Sequence, residues 1–195
     1  MMALHNNTLD HVEIQIMVRG HDKEIRAITF AEVLEYHEGD SWFGCAVGFR
    51  AMQKASELLF DDNILEQGNL YTVSGHPGPG VRDAIDYLTG CVSSNRYRLL
   101  DEANTQGCNR DMRFEWWVSN GRQTAHVLLS DSIVPNTFFD VAERVTSDQG
   151  SDEDKQRFTL LKYDLCNQLM SISLNQCFSG VCLSTPLTPG DLPDA

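Results

Sequence analysis

Four side chains between residues 37 and 91 have the chemistry of a catalytic or metal-binding site: His37, Asp40, His76 and Cys91. A carboxylate beside a histidine can act as an acid/base pair, because burial and mutual charge move their pKa values toward neutrality. Imidazole and carboxylate groups also bind zinc, manganese or iron(II). We therefore predict a small cavity in which His37, Asp40 and His76 act as catalytic groups, with or without one divalent metal.

Each of these residues also has a possible structural role. Asp40 follows a glycine and could cap a helix, and His37 could offset the dipole at the end of a helix. Cys91 follows Gly90, where a small packed side chain is common. His76 is the hardest to explain in this way, because it lies in a loop with two prolines and three glycines, and such rigid loops often carry function.

Three further residues complete the predicted cavity. Trp42 and Phe43 begin a helix and would form an apolar or stacking wall for an organic substrate. Asp83 would orient a ligand or form an ion pair with a nearby arginine. Together with Cys91, these residues are the predicted substrate-binding groups.

Sequence patterns place these residues near the starts of two helices. Thr29 and Glu32 form a capping-box pattern for a helix that stops at Gly39. Asp40 or Ser41 then caps a longer helix over residues 42–60, in which apolar and small residues follow helical spacing.

His76 falls in a connection between a strand and a helix. Residues 70–75 are typical of a strand, and residues 81–89 show one apolar helical face that ends near Gly90.

The remaining patterns predict four strands, two helices and a disordered tail. The strands are expected within residues 8–18, 95–100, 111–120 and 122–129, with a hairpin turn at Asn120-Gly121. A short helix near residues 137–145 and a final helix over residues 154–178 follow. Residues 1–180 are expected to form one domain, and the proline-rich residues 181–195 a disordered tail.

Two segments, YHEGDSWFGCAVGFRAM and RDAIDYLTGC, resemble the motifs FHGHxCPGxxxGxR and CxxDAIQxLTGC of the FmdE family, which takes its name from one of the subunits of formylmethanofuran dehydrogenase. The resemblance covers residues 29–130. It implies an α+β fold with a helix-strand-helix-three-strand core, a mixed but largely antiparallel sheet and a C-terminal helix. It also implies a metal near the two motifs and, commonly, a homodimer.

The chain departs from these motifs at the family's ligand positions. Asp40 replaces the second family histidine, Trp42 replaces a cysteine, and Gly80 replaces another. The first family histidine falls on Glu38 without a gap, or on His37 if one residue is inserted. The resemblance thus implies a site with fewer thiols and more carboxylates, which suits harder or borderline ions such as manganese, iron(II) or zinc.

Composition excludes several classes of partner. The formal net charge is -13 and the pI is about 4.7, which argues against binding to nucleic acid or an anionic membrane. Neither a secretory signal nor an apolar stretch of membrane-spanning length is visible, so a cytoplasmic location is expected. No phosphate loop or dinucleotide motif is present, so no nucleotide cofactor is expected.

These observations predict an FmdE-like enzyme that acts on a small organic molecule, by lyase or hydrolase chemistry. The alternative is a non-catalytic module that binds a metal or ligand as an accessory subunit or sensor. The alternative predicts tight stoichiometric binding without turnover. A third interpretation is that the loss of the family's thiol ligands left an interaction domain that dimerises through its last helix.

Overall fold

Two β-sheets and six helices make up the part of the chain that the computed structural model describes, residues 14–103, 107–147 and 150–193. The strands are β1 (Gln15–Arg19), β2 (Ile25–Thr29), β3 (Leu65–Glu66), β4 (Tyr71–Ser74), β5 (Tyr97–Leu99), β6 (Glu115–Ser119), β7 (Thr124–Leu129) and β8 (Phe178–Leu183). The helices are α1 (Phe30–His37), α2 (Trp42–Leu59), α3 (Pro79–Thr89), α4 (Asn136–Thr146), α5 (Asp152–Ser171) and α6 (Leu174–Cys177). The predicted α+β class is confirmed.

Both sheets contain parallel and antiparallel pairs. The larger sheet has the order β5-β4-β6-β7-β8, in which only the β4–β5 pair is parallel. The smaller sheet has the order β2-β1-β3, with β1 and β3 parallel. The predicted strand over residues 8–18 corresponds to β1, and its part before residue 14 lies outside the described residues.

Helix α1 begins as its sequence predicts. The Thr29 hydroxyl accepts a hydrogen bond from the Glu32 N–H, and the Glu32 carboxylate accepts one from the Thr29 N–H at 2.7 Å. The end differs by one residue from the prediction, because Glu38, and not Gly39, adopts the left-handed conformation, with φ of 53°. The chain therefore reverses direction directly after His37.

Helices α2 and α3 pack closely because small residues face each other along their contact. A Cβ atom on Gly48 would lie 2.8 Å from the Val81 carbonyl oxygen and 2.9 Å from the Ala84 Cβ. A Cβ on Gly80 would strike the carbonyl oxygen of Ser41 at the start of α2. The two helices thus bring their N-terminal turns together.

The predicted helix over residues 154–178 is interrupted. Helix α5 ends at Ser171, and Ser173 caps the short helix α6 through a capping box with Gln176. The polypeptide then enters β8, which pairs antiparallel with β7. Helix α5 packs against α2 and α4.

The expected disorder of residues 181–195 is wrong for residues 181–193. Strand β8 reaches Leu183, and the following segment crosses the outer face of the larger sheet. Its Leu187 and Leu192 pack on Trp117 and Tyr71, and the Tyr71 hydroxyl donates to the Asp191 carbonyl oxygen at 2.7 Å. The prolines restrict this segment to an extended path, and the sheet supplies the apolar surface that the sequence pattern did not reveal.

No helix in the described ranges is both long enough and apolar enough to cross a lipid bilayer.

Candidate functional site

A small cavity lies where the N-terminal turns of α2 and α3 meet. Its volume is about 60 Å³. The walls are Ser41, Phe43, Gly44, His76, Gly78, Pro79, Gly80, Cys108, Met112, Phe114, Phe138 and Lys162. Most of these side chains are apolar or small, so the few polar groups among them decide what the cavity can bind.

His76 is the buried polar side chain of this cavity, with 6% of its surface exposed. Its Nδ1 atom accepts a hydrogen bond from the Gly78 N–H at 3.0 Å, so the proton of the neutral ring is on Nε2. No acceptor for that Nε2–H lies within hydrogen-bond distance among the described residues. The ring packs against Phe114, with 4.7 Å between the ring centroids.

Burial keeps the His76 ring neutral at pH 7. It lowers the pKa of His76 to about 4, because the positive form loses its hydration in an apolar setting. The ring therefore presents a neutral N–H donor to the cavity.

Backbone N–H groups add to the donors around this cavity. Helix α2 begins after Ser41, whose hydroxyl makes no capping hydrogen bond. In the described part of the chain, the N–H groups of Trp42, Phe43 and Gly44 have no acceptor. Such groups, together with the positive end of the helix dipole, favour a ligand that carries partial or full negative charge.

His37 lies beside the cavity and pairs with Asp83. Its Nδ1 atom is 2.7 Å from the Asp83 Oδ2, and its Nε2 accepts the Ser41 N–H at 3.3 Å. The second contact makes Nε2 the acceptor, so Nδ1 carries the proton that is donated to Asp83. The His37 side chain is 6% exposed and that of Asp83 35% exposed. The sequence offered two roles for Asp83, a ligand-orienting group or the ion-pair partner of an arginine, and the structure pairs it with a histidine.

Asp40 lies outside the cavity. Its side chain is 69% exposed and forms an ion pair with Lys162, whose Nζ is 2.5 Å from the Asp40 Oδ2. Asp40 also makes no helix cap, since Ser41 occupies the N-cap position. Lys162 lines the cavity and binds the Asp40 carboxylate outside it. Asp40 can therefore influence the cavity only electrostatically, by partly neutralising the charge of Lys162.

Cys91 is also separate from the cavity. It follows the C-terminal end of α3, about 15 Å from the helix start at a rise of about 1.5 Å per residue. Burial raises the pKa of the Cys91 thiol, which is fully enclosed. Cys91 is a packed small side chain in this structure.

The two predicted aromatic residues have different positions. Phe43 lines the cavity and packs edge-on against Phe138, with 5.7 Å between centroids. Trp42 instead faces Tyr163 and Lys162. Phe43 is thus a cavity wall, and Trp42 supports α5 against α2.

The predicted metal ligands do not converge. Both ring nitrogens of His37 are engaged, Nδ1 of His76 accepts the Gly78 N–H, and Asp40 pairs with Lys162. Over the described ranges, no three His, Cys, Asp or Glu side chains are grouped as a metal ion requires. His37, Asp40 and His76 therefore do not form one ligand set in this structure.

Sequence reasoning missed most of the distal wall of the cavity. Cys108, Met112 and Phe114 come from the segment before and at the start of the β6 region, and Lys162 comes from α5. No spacing within the chain connects these residues to His76, because they meet it only through the tertiary fold. Two local signals succeeded, since the Pro/Gly loop identified His76 and the start of α2 identified Phe43.

No protein-family model matches the chain, and no curated protein matches it significantly. The resemblance to the FmdE family therefore stays a prediction that rests on the motifs at residues 36–52 and 82–91.

Proposed function

We propose that the protein is an enzyme that binds a small organic molecule through an oxygen atom in the His76 cavity and acts on it by hydrolase or lyase chemistry. The observation that carries this proposal is the His76 side chain, which is 6% exposed, lines the cavity and has no acceptor for its Nε2–H among the described residues. An oxygen atom of a ligand in the cavity would accept a hydrogen bond from this donor.

The size and charge of the cavity define the group it would accept. A volume of about 60 Å³ has room for about four water molecules, at about 15 Å³ of cavity volume for each. A carboxylate, acetyl or amide group has this size. Its oxygen would face His76 and the first turn of α2, where the backbone N–H groups favour negative charge.

The His37–Asp83 pair supports an enzyme over a simple binding protein. A carboxylate that holds the Nδ1–H of a histidine leaves Nε2 as the basic atom of the ring, which is the arrangement used for proton transfer in acyl-transfer enzymes. In His37 that basic atom accepts the Ser41 N–H. The pair does not line the cavity itself, and it contacts the cavity wall through Ser41, whose N–H donates to His37. The metal that the FmdE resemblance implies is not required for this chemistry.

Three substitutions of His76 test the proposal. Glutamine can place an N–H donor near the position of Nε2, whereas asparagine can keep an acceptor for the Gly78 N–H but has no group at Nε2. We expect acetamide to bind the wild-type protein and His76→Gln in ligand-observed NMR, and to bind His76→Asn and His76→Ala at least tenfold more weakly. Equal binding by all four proteins would contradict the proposal.

A non-catalytic ligand-binding module is the second candidate. It is favoured by the Gly78 N–H, which fixes His76 as a donor and prevents it from acting as a base. This candidate predicts stoichiometric binding of acetamide without hydrolysis of 4-nitrophenyl acetate above the rate of a heat-denatured sample. The enzyme predicts turnover that His76→Asn reduces.

The homodimer and the cytoplasmic location expected from the sequence stay predictions. Sedimentation of the full chain would measure the oligomeric state.

A further inference from the structure

We propose that Ser41 is the nucleophile of this site, with His37 as its base and Asp83 as the residue that positions His37. This inference rests on the proposed enzymatic function and makes it more specific, to acyl transfer from a small ester or activated amide. The three residues come from the α1–α2 connection, the end of α1 and the second turn of α3.

The protonation of His37 is the one that a base for serine requires. Nδ1–H is donated to Asp83 over 2.7 Å, and Nε2 has its lone pair directed at residue 41, where it accepts the backbone N–H at 3.3 Å. A carboxylate on Nδ1 fixes the ring orientation and stabilises the positive ring that forms after proton transfer.

The local backbone holds His37 against Ser41. Glu38 is left-handed, so the chain turns back directly after α1. Gly39 then passes under the imidazole, and a Cβ atom there would lie 2.7 Å from His37 Nε2. Because glycine has no Cβ, the backbone can pass this close to the ring, and the His37 ring can contact Ser41.

Ser41 connects this pair to the cavity. It lines the cavity wall, and its hydroxyl neither caps α2 nor has a hydrogen-bond partner among the described residues. For Oγ to reach His37 Nε2 by rotation about the Cα–Cβ bond, the 3.3 Å hydrogen bond from the Ser41 N–H to the single lone pair of that atom must give way. Catalytic hydrogen bonds are often incomplete before substrate binds.

Donors for the developing negative charge surround the same point. The first N–H groups of α2 have no acceptors in the described chain, and His76, which lines the same cavity and is 6% exposed, has no acceptor for its Nε2–H among the described residues. Neutral preorganised donors of this kind stabilise an oxyanion without the cost of reorganisation during the reaction. His76 is thus a second, independent group that points to a ligand at the start of α2.

The reaction proceeds in two balanced steps. Ser41 Oγ forms a bond to the carbonyl carbon and transfers its proton to His37 Nε2, and the bond to the leaving alkoxide breaks as His37 returns that proton to it. Water then attacks the acyl-Ser41 ester and gives a proton to His37, which returns it to Ser41 Oγ as the carboxylic acid leaves. No oxidant or other co-reactant is consumed.

Methanesulfonyl fluoride, which is small enough for the cavity and forms a stable sulfonate on an activated serine, tests the nucleophile. We expect one adduct on the full-length protein, located on Ser41 by peptide mass analysis. Ser41→Ala should give no adduct, and His37→Gln should slow labelling at least tenfold. Ser151→Ala is the matched control, because Ser151 also starts a helix but lies outside the cavity, and its labelling should equal that of wild type.

Asp83 needs a measurement that a purely structural role would not change. We expect Asp83→Asn to slow labelling at least tenfold and Asp83→Glu, which keeps a carboxylate, to slow it less, because the carboxylate fixes the orientation of the His37 ring. Urea unfolding of each variant confirms that it is folded. An adduct elsewhere, no adduct on wild type, or unchanged labelling in His37→Gln would overturn the inference.

The outcomes also separate this inference from the proposed function. If Ser41→Ala still hydrolyses 4-nitrophenyl acetate while His76→Asn does not, the nucleophile assignment is wrong and the proposed function stands. If His76→Asn changes neither hydrolysis nor acetamide binding, the proposed function itself is wrong.

Discussion

His37 Nδ1 lies 2.7 Å from the Oδ2 atom of Asp83, and this contact joins the end of α1 to α3 across 46 positions of sequence. The His37 side chain is almost fully enclosed, so its orientation depends on that carboxylate. The same contact sets the direction in which His37 Nε2 faces, which is toward the start of α2. One hydrogen bond therefore does two things. It connects α1 to α3, and it orients the His37 ring toward the start of α2.

Asp83→Asn should lower the free energy of unfolding by about 1–2 kcal/mol, because a hydrogen bond to a charged group is worth more than a neutral one. Urea unfolding at neutral pH measures this. Asp101→Asn is the control, since Asp101 is 73% exposed and its pair with Arg98 should contribute about 0.5 kcal/mol or less. Equal effects of the two substitutions would contradict the role given to Asp83.

The pKa of His76 predicts a loss of stability in mild acid. The folded protein holds this pKa near 4, whereas the unfolded chain has the ordinary value near 6.5, so the unfolded state binds more protons between these values. The stability that neutral His76 contributes is therefore fully present above about pH 6.5, and it is lost as the pH decreases toward 4. Between about pH 7.5 and pH 5, wild type should lose about 2 kcal/mol more than His76→Asn. Parallel unfolding curves for the two proteins at both pH values would refute this.

Gly48→Ala should destabilise the protein by about 1–3 kcal/mol, although alanine favours helices, because its Cβ would overlap the Val81 carbonyl oxygen and the Ala84 Cβ. Gly44→Ala is the matched control on the same helix. Its Cβ would lie 3.3 Å from the Val81 nitrogen, so the neighbouring backbone needs to move less. Thermal unfolding should rank Gly44→Ala as the more stable variant.

The two serines that start α2 and α5 should respond differently to alanine. Ser151 accepts a hydrogen bond from the Asp154 N–H at 3.1 Å, and its loss should cost about 1 kcal/mol. Ser41 makes no such bond, so Ser41→Ala should change the free energy of unfolding by less than about 0.5 kcal/mol. A large loss for Ser41→Ala would show that its hydroxyl stabilises the fold.

Deletion of residues 184–195 should expose Trp117 and Tyr71, because residues 184–193 cover these two side chains. We expect a lower unfolding midpoint and a shift of tryptophan fluorescence to longer wavelength, because the Trp117 ring would contact water. Leu187→Ser in the intact chain should produce a smaller change of the same sign. An unchanged midpoint after deletion would mean that the segment contributes nothing to stability.

Local signals in the sequence were sufficient for most of the fold. The Thr29 and Glu32 capping box, the apolar face of α3 and the turn near Asn120 each depend on neighbours within a few residues, and the structure confirms them. In the turn, the Asn120 N–H donates to the Gln123 carbonyl oxygen, which leaves Gly121 with its positive φ as the first central residue.

The errors arose where a distant partner decides the structure. Asp40 follows a glycine, as residues that cap helices often do, yet its carboxylate forms an ion pair with Lys162 on α5 and does not cap α2. Cys91 follows a motif that starts near the cavity, but the length of α3 carries it away. Residues 178–183 show no regular alternation of apolar and polar side chains, so only their pairing with β7 identifies them as a strand. Gly180 suits that position, since a Cβ would lie 2.8 Å from the His126 carbonyl oxygen.

The position of β8 also determines the order in which the protein can be completed during synthesis. β7 needs β8 as its neighbour, and the residues of β8 are made about 50 positions after those of β7. Until they leave the ribosome, one edge of β7 has unpaired backbone groups that can join another chain. Folding of the larger sheet therefore ends only after the residues of β8 have left the ribosome, and nascent chains that stall after α5 should be the most prone to aggregate.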